Sequence, residues 1–175
     1  ATVTFSFYIP LDDLADEPGA GMIGDIEFNS STYYKYVNMN WEELVANLGG
    51  DVEVAARGVL ALLDAVVTAQ PTGKQNTFAA FNLPDLVLLE VSDTNLPVSY
   101  ANAFLKPVRA THDATLMENS VKQLANYMDK VTTAYNLSAR RACLSLVEEN
   151  LPASEAAGSL DKLKSWLKRL LPVEG

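Results

Sequence analysis

Side chains that could act as catalytic nucleophiles are few. His112 is the only histidine and Cys143 the only cysteine. Nucleophilic catalysis usually pairs a Ser or Cys with a histidine that takes its proton. His112 has no Ser or Cys in such a pattern around it, and Cys143 stands between Ala142 and Leu144, which is typical of a buried structural thiol. The sequence therefore predicts no nucleophilic triad, and one His with one Cys cannot supply a zinc site of His and Cys ligands.

Acidic residues near the start of the chain offer a second kind of chemistry. Asp12, Asp13 and Asp16 could hold a divalent metal ion for hydrolysis, since carboxylate oxygens are the ligands that hard cations prefer. Clustered loop acids are more often solvated surface, so we expect no metal. A metal-dependent nuclease that uses Asp12, Asp13 and Asp93 stays open as an alternative function.

A glycine pattern, G-x-G-x-x-G, occurs at Gly19 to Gly24. A dinucleotide site needs a helix N-terminus directly after these glycines, because the helix binds the pyrophosphate. Here the pattern follows an acidic loop and leads into a predicted strand. We therefore expect no nucleotide cofactor.

Two short polar loops suit nucleic-acid phosphates better than any enzyme chemistry. Residues 73–77 combine one lysine with polar side chains, and residues 106–109 carry Lys106 and Arg109. Lysine, arginine and amide donors hold a phosphate backbone without reading base sequence. Tyr33, Tyr34 and Tyr36, which flank a lysine, could stack on bases. Strand alternation would instead place two of these tyrosines in a core, and we expect that role.

Composition limits the class of protein that carries these loops. The chain has 175 residues and a mass of 19.0 kDa, with 49% hydrophobic and 20% charged residues, which is typical of one globular domain. The formal net charge is −9. Residues 1–64 hold 11 acids and two bases, whereas residues 65–175 hold 11 of each. This charge argues against a general nucleic-acid binder, but it does not exclude a local basic track in the second part.

Cysteine use and hydropathy indicate the compartment. A single cysteine cannot form an internal disulfide, which favours a reducing compartment. No apolar run approaches the ~20 residues that span a bilayer. We expect a cytoplasmic protein without a membrane partner.

Periodicity predicts both strands and helices, which gives the α+β class. The first strands form a long hairpin, and residues 86–91 read as a central strand that is buried on both faces. Capping residues mark where four helices begin. The predicted strands are 2–9, 22–38 with a bulge or bend at 29–31, and 86–91. The predicted helices begin after Asn40, near Asp51, near Thr115 and after Ser159.

Four segments resemble CasC, the repeated backbone subunit of the type I-E CRISPR surveillance complex, Cascade. The resemblance covers about residues 7–171, and the GKQNTFAAFN and SYANAF blocks are specific to the family. The four segments are GMIGDIEFNSSTYYKYVN at 21–38, GKQNTFAAFNLPDLVLLEVSD at 73–93, PVSYANAFLKPVRA at 97–110 and LDKLKSWLK at 160–168.

The resemblance implies a protein that is not an enzyme. Copies of the family polymerise along a guide CRISPR RNA, divide it into segments and hold it for pairing with target DNA, so sequence is read by base pairing rather than by protein. The implied partners are the guide crRNA, neighbouring copies, other Cascade subunits and, through the guide, target DNA. No cofactor is implied. A protein–protein assembly module without RNA binding is a further alternative.

The resemblance also implies a hand-like fold. The palm is a sheet like that of the RNA-recognition motif (ferredoxin-like), and a β-hairpin forms a thumb that reaches the RNA at a neighbouring copy. Here residues 1–28 match a thumb-like hairpin region, and residues 29–175 match the C-terminal part of the palm with its packed helices. The residues that the resemblance places on RNA are Tyr8, Met22 and Ile23 in the thumb region, and Lys74, Gln75, Lys106 and Arg109 in the palm.

The chain differs from this family in length. Family members are about twice as long, so we expect this chain to be the C-terminal half, without the first palm strand, the fingers and most of the basic RNA track. The sequence therefore predicts that the 175-residue chain self-associates through incomplete sheet edges.

Overall fold

A computed structural model describes residues 2–8, 23–29, 32–70, 81–148 and 151–172, and gives only the backbone for the first two ranges. The chain divides into two units, residues 1–35 and residues 36–175. The division that the sequence suggested, between a thumb-like region that ends at residue 28 and a palm, stays a prediction.

The first unit contains an antiparallel hairpin. Strand β1, Thr2–Tyr8, pairs with β2, Ile23–Asn29, from the pair of Thr2 with Asn29 to the pair of Tyr8 with Ile23. This confirms the predicted hairpin. Alternating Thr, Ser and aromatic residues in β1 favour the extended backbone.

The second strand is shorter than predicted. β2 ends at Asn29, and residues 32–38 form no strand. Tyr33, Tyr34 and Tyr36 are 77%, 39% and 42% exposed, so the prediction that two of them pack in a core is wrong. Strand propensity is expressed only where a neighbouring strand or a packed face covers the side chains, and none of the described strands pairs with this segment.

The helices of the second unit begin where the caps predict. Helices α1, Trp41–Asn47, and α2, Val52–Thr68, follow Asn40 and Asp51, whose side chains accept hydrogen bonds from the third helical backbone N–H. Gly49 and Gly50 between them have positive φ angles, which end α1 without strain. Helices α3, Leu116–Ala134, and α4, Leu160–Leu170, follow Thr115 and Ser159 in the same way.

A three-stranded sheet lies between these helices. Its order is β3 (Leu86–Val91), β4 (Arg140–Ser145) and β5 (Ser154–Ala156), with β3 and β4 antiparallel and β4 and β5 parallel. Among the described strands β3 therefore lies at an edge, and its residues are half-buried at most. Its alternate residues pack against two hydrophobic clusters, Val87, Leu89 and Val91 on one face and Leu86 and Leu88 on the other, as predicted for a strand covered on both faces. A central position in the sheet stays a prediction, since the described strands pair with β3 on one side only.

Two hydrophobic clusters cover the two faces of this sheet. Successive strand residues point to opposite faces, so Ala142 of β4 packs with α2 and α4, while the next residue, Cys143, packs with α3. Cys143 is buried and carries a free thiol, which confirms the prediction of a structural cysteine. The mixture of sheet and helices confirms the α+β class. In the described ranges no helix is both long and apolar enough to cross a membrane.

Candidate nucleic-acid interface

The loop that carries Lys106 and Arg109 starts from a short 3₁₀ turn at Ala101–Phe104 and leads to α3. Ala103 of this turn is buried in the cluster under α3. Pro107 prevents this turn from continuing as a helix, since proline lacks the backbone N–H that a helix interior needs. The chain therefore passes from a buried turn at Ala103 to an exposed loop at Lys106 within three residues.

Amide side chains of α3 hold this loop in place. Gln123 donates a hydrogen bond to the backbone oxygen of Ala103 and a longer one, of 3.5 Å, to that of Lys106. Asn119 donates to the backbone oxygen of Arg109 at 3.0 Å. Both loop ends are therefore tied to one rigid helix, which fixes the backbone from which the two cationic side chains project.

Lys106 and Arg109 are exposed, and neither side chain forms an ion pair with a carboxylate of the described residues. Three other cations of the same unit, Arg140, Arg141 and Lys164, do form ion pairs with described carboxylates. Arg140 lies 3.2 Å from Asp93, and Lys164 lies 2.6 Å from Asp64. The loop cations are thus available to an external anion, and long flexible side chains of this kind suit phosphate groups.

A buried polar network anchors the start of the 3₁₀ turn to the sheet. Tyr100, only 3% exposed, donates a hydrogen bond of 2.8 Å to Oε1 of Glu90 on β3. Arg141 on β4, 4% exposed, donates to the same oxygen at 2.6 Å. It also donates to Thr132 of α3 at 3.0 Å and, more weakly, to the Tyr100 hydroxyl at 3.4 Å. The network therefore joins two strands, one helix and the loop.

The network changes the ionisation of its members. Burial, together with the hydrogen bond and negative charge of Glu90, raises the pKa of Tyr100 to about 12, although Arg141 acts in the opposite direction. Burial opposes the charge of Arg141, but the hydrogen bond and charge of Glu90 outweigh it, so the pKa of Arg141 is raised. Tyr100 stays neutral and Arg141 stays charged near neutral pH, which makes this network a structural anchor.

Sequence reasoning missed Glu90, Tyr100 and Arg141. One signal was present: Glu90 interrupts an otherwise apolar strand, and a charge at such a position needs a partner. The partner could not be identified, because Arg141 is 51 residues away in the chain. The structure gives the SYANAF block a role, since its tyrosine anchors the loop and its second alanine packs under α3.

The remaining predicted contact residues are described in part or not at all. Tyr8 and Ile23 form the last backbone pair of the hairpin, and nothing is described of their side chains. Met22, Lys74 and Gln75 lie outside the described residues. Their roles, like those of Lys106 and Arg109, stay predictions.

The residues proposed for the alternative nuclease are not brought together in the described chain. Asp12, Asp13 and Asp16 lie outside the described ranges, and Asp93 pairs with Arg140. Within those ranges no group of three or more His, Cys, Asp or Glu side chains could hold a metal ion. The His112 side chain is almost fully exposed and lies 2.9 Å from Asp113.

Comparison with known proteins places these features in a family. Residues 1–171 match the family described as CT1975-like protein. The chain belongs to this family. No curated protein sequence matches the CT1975-like chain.

Solved structures resemble the CT1975-like chain over nearly its whole length. One of them is described as a CRISPR RNA-guided surveillance complex. Its sequence is 29% identical to this chain, and the two structures superpose with a TM-score of 0.78 over 95% of this chain. Another, described as the same kind of complex before nicking, is 28% identical with a TM-score of 0.79 and is matched by 97% of this chain. The chain spans 65% and 46% of the lengths of these two proteins.

Proposed function

We propose that this chain is part of a non-catalytic backbone subunit of a CRISPR surveillance complex of the Cascade type, and that it holds the guide RNA by its phosphate backbone. Membership of the CT1975-like family and the similarity to two surveillance-complex structures support the assembly. The finer assignment, to type I-E and to the division of the guide into regular segments, follows the resemblance of the four sequence segments to CasC.

One observation supports RNA contact most directly: the loop of Lys106 and Arg109. Its backbone is fixed by Asn119 and Gln123, its start is anchored by Tyr100, and its two cations project without an ion pair to a described carboxylate. A rigid backbone that presents free cations lowers the entropy cost of each phosphate contact. Such contacts position a strand without reading its bases, which is what base pairing by the guide requires.

The proposal is tested by changing both loop cations. In Lys106→Ala with Arg109→Ala, binding of a fluorescent single-stranded RNA should weaken about equally for unrelated sequences. Each lost phosphate contact should lower the slope of log affinity against log salt by ~0.7, so the pair should lower it by about 1.4. Fluorescence anisotropy at four salt concentrations measures both quantities.

Lys168→Ala with Arg169→Ala is the matched control. This pair also consists of one lysine and one arginine, both exposed, on the last turn of α4. It changes the net charge equally and should leave the salt slope unchanged. An unaltered slope in the loop variant, or RNA cleavage that depends on a divalent metal, would contradict the proposal.

A further inference from the structure

A cleft of about 330 Å³ opens beside the loop. One wall is formed by residues 107–109 and Thr111, and the other by Asn119, Lys122, Gln123 and Asn126 of α3. The volume is near the lower end of the ~300–1,000 Å³ that small-ligand pockets occupy. It exceeds the space that a single inorganic anion needs.

The cleft is cationic although the whole chain is acidic. Arg109 and Lys122 face it from opposite walls, and no described residue that lines it is acidic. Lys122 is exposed and forms no ion pair with a described carboxylate. The carboxylate one turn before it, Glu118, is occupied by hydrogen bonds to Thr115 at 2.6 and 2.7 Å. The cleft therefore offers two cations to an anion from outside.

The polar side chains in the cleft have separate tasks. The side-chain amides of Asn119 and Gln123 donate hydrogen bonds to backbone carbonyls at the two ends of the loop. The side-chain amide of Asn126 makes no hydrogen bond with any described residue, so it is available at one end of the α3 wall. Residues three and four apart on a helix lie on one face, so Asn119, Lys122 and Asn126 form one row along the cleft.

The lining also excludes base recognition by stacking. None of the described residues that line the cleft is aromatic, whereas proteins that hold single-stranded bases use aromatic faces as platforms. A ligand with negative charge at intervals and no need for stacking is the sugar–phosphate backbone of a nucleic acid. Arginine and lysine on opposite walls suit such a strand running along the row.

We propose that this cleft binds the sugar–phosphate backbone of one nucleic-acid strand, with Arg109 and Lys122 on phosphates and Asn126 on a phosphate or sugar oxygen. The inference rests on the proposed function and extends it, because Lys122 and Asn126 belong to none of the segments that resemble CasC. It makes α3 a binding element as well as a support for the loop.

The test compares Lys122→Gln with Lys130→Gln. Both lysines are exposed residues of α3, but only Lys122 lines the cleft, so the two variants differ in position and not in charge. The probes are a fluorescent 12-nucleotide RNA of mixed sequence and DNA of the same sequence. Lys122→Gln should lower the salt slope by ~0.7 and weaken binding equally for a second RNA of unrelated sequence, whereas Lys130→Gln should change neither.

The outcomes separate the cleft from the loop. If Lys122→Gln weakens binding of the RNA probe alone, the ligand is the guide. If it weakens binding of the DNA probe alone, the ligand is a target strand. If it weakens binding of both probes, the cleft recognises the backbone that RNA and DNA share. If Lys106→Ala with Arg109→Ala lowers the slope and Lys122→Gln does not, the cleft proposal is wrong and the proposed function stands. Equal losses in the two glutamine variants would also overturn the cleft. Failure of the unaltered chain to bind either probe would overturn both proposals.

Discussion

At the scale of single residues, Tyr100 gives the stability of the protein a dependence on alkaline pH. Its pKa is about 12 in the folded chain, against 10.0 for an ordinary phenol, because burial and Glu90 disfavour the phenolate. The unfolded chain therefore loses this proton first as pH rises. The resulting stabilisation of the neutral, folded form is complete below pH 10 and is lost between about pH 10 and pH 12.

Tyr100→Phe should remove this dependence. Near pH 7 the variant should be less stable by about 1.5–3 kcal/mol, since Glu90 loses a hydrogen bond from a buried donor. The difference between the two proteins should shrink by up to about 2–3 kcal/mol as pH approaches 12, at about 1.4 kcal/mol for each pKa unit. Urea unfolding at pH 7, 9, 10 and 11 measures it, with the exposed Tyr135→Phe as control. If the difference in unfolding free energy between the unaltered protein and Tyr100→Phe stays constant from pH 7 to pH 11, the raised pKa of Tyr100 is wrong.

The same scale shows what sequence can and cannot reveal about the site. Lys106 and Arg109 could be identified because cations near a proline in a polar loop are exposed whatever the rest of the fold does. The partners that fix the loop could not be identified, because Asn119, Gln123 and Arg141 contact it only after α3 and β4 have packed. The residue types of the candidate site can thus be predicted from a short stretch of sequence. Its geometry cannot, because it depends on contacts between residues that are far apart in the chain.

At the scale of secondary-structure elements, α3 combines core packing with support of the candidate site. Its buried residues include Val121, Leu124 and Met128. Its first turn is held by a capping box, in which Thr115 accepts from the backbone of Glu118 at 3.2 Å and Glu118 accepts in return from the backbone of Thr115. Loss of this cap frays the turn immediately before Asn119.

Thr115→Ala should lower the free energy of unfolding by about 1 kcal/mol, as for other helix caps, and the melting temperature by about 2–4 °C. The Thr115 bonds lower the pKa of Glu118. The stabilisation from that carboxylate is present above its ordinary pKa of 4.5 and is lost as pH falls below it. The variant keeps the backbone bond, which is the larger cause, and loses only the hydroxyl bond, so its stability should fall slightly less in acid.

Asn40→Ala is the matched control for this prediction. Asn40 caps α1 with a similar bond of 3.1 Å, but α1 has only seven residues and none of them is buried. Calorimetry should therefore show a smaller loss for Asn40→Ala than for Thr115→Ala. Equal decreases in the free energy of unfolding for the two variants would contradict this prediction. They would mean that each cap stabilises only its own helical turn and that the packing of α3 does not depend on Thr115.

Helices were predictable at this scale and strands were less so. Caps at Asn40, Asp51, Thr115 and Ser159 are local chemistry, and all four helices begin after them. β4 begins with two arginines and β5 has three residues, so neither carries an alternating pattern. β4 pairs with β3, and β5 pairs with β4. Both strands depend on these distant partners, which no local window of sequence records.

At the scale of the whole molecule, net charge opposes self-association of the chain, whereas incompletely paired strands favour it. Residues 1–64 carry the entire charge excess of −9, which repels other copies. The hairpin of β1 and β2 is a two-stranded unit, and such a unit is only marginally stable without a covering surface. Among the described strands β3 pairs with β4 alone, and an edge strand can pair with another chain through its backbone groups.

We expect the pairing tendency to exceed the repulsion, so that the 175-residue chain self-associates at tens of micromolar. We expect pairing through the hairpin strands, residues 2–8 and 23–29, or through the edge of β3 that has no partner among the described strands. Salt screens repulsion between surface charges over roughly 8–10 Å at 0.10–0.15 M, so association should persist or increase as the salt concentration rises. Multi-angle light scattering at 0.05 M and 0.5 M salt measures the mass. A mass of 19.0 kDa at both concentrations would contradict this prediction, because it would mean that the chain covers its own strand edges.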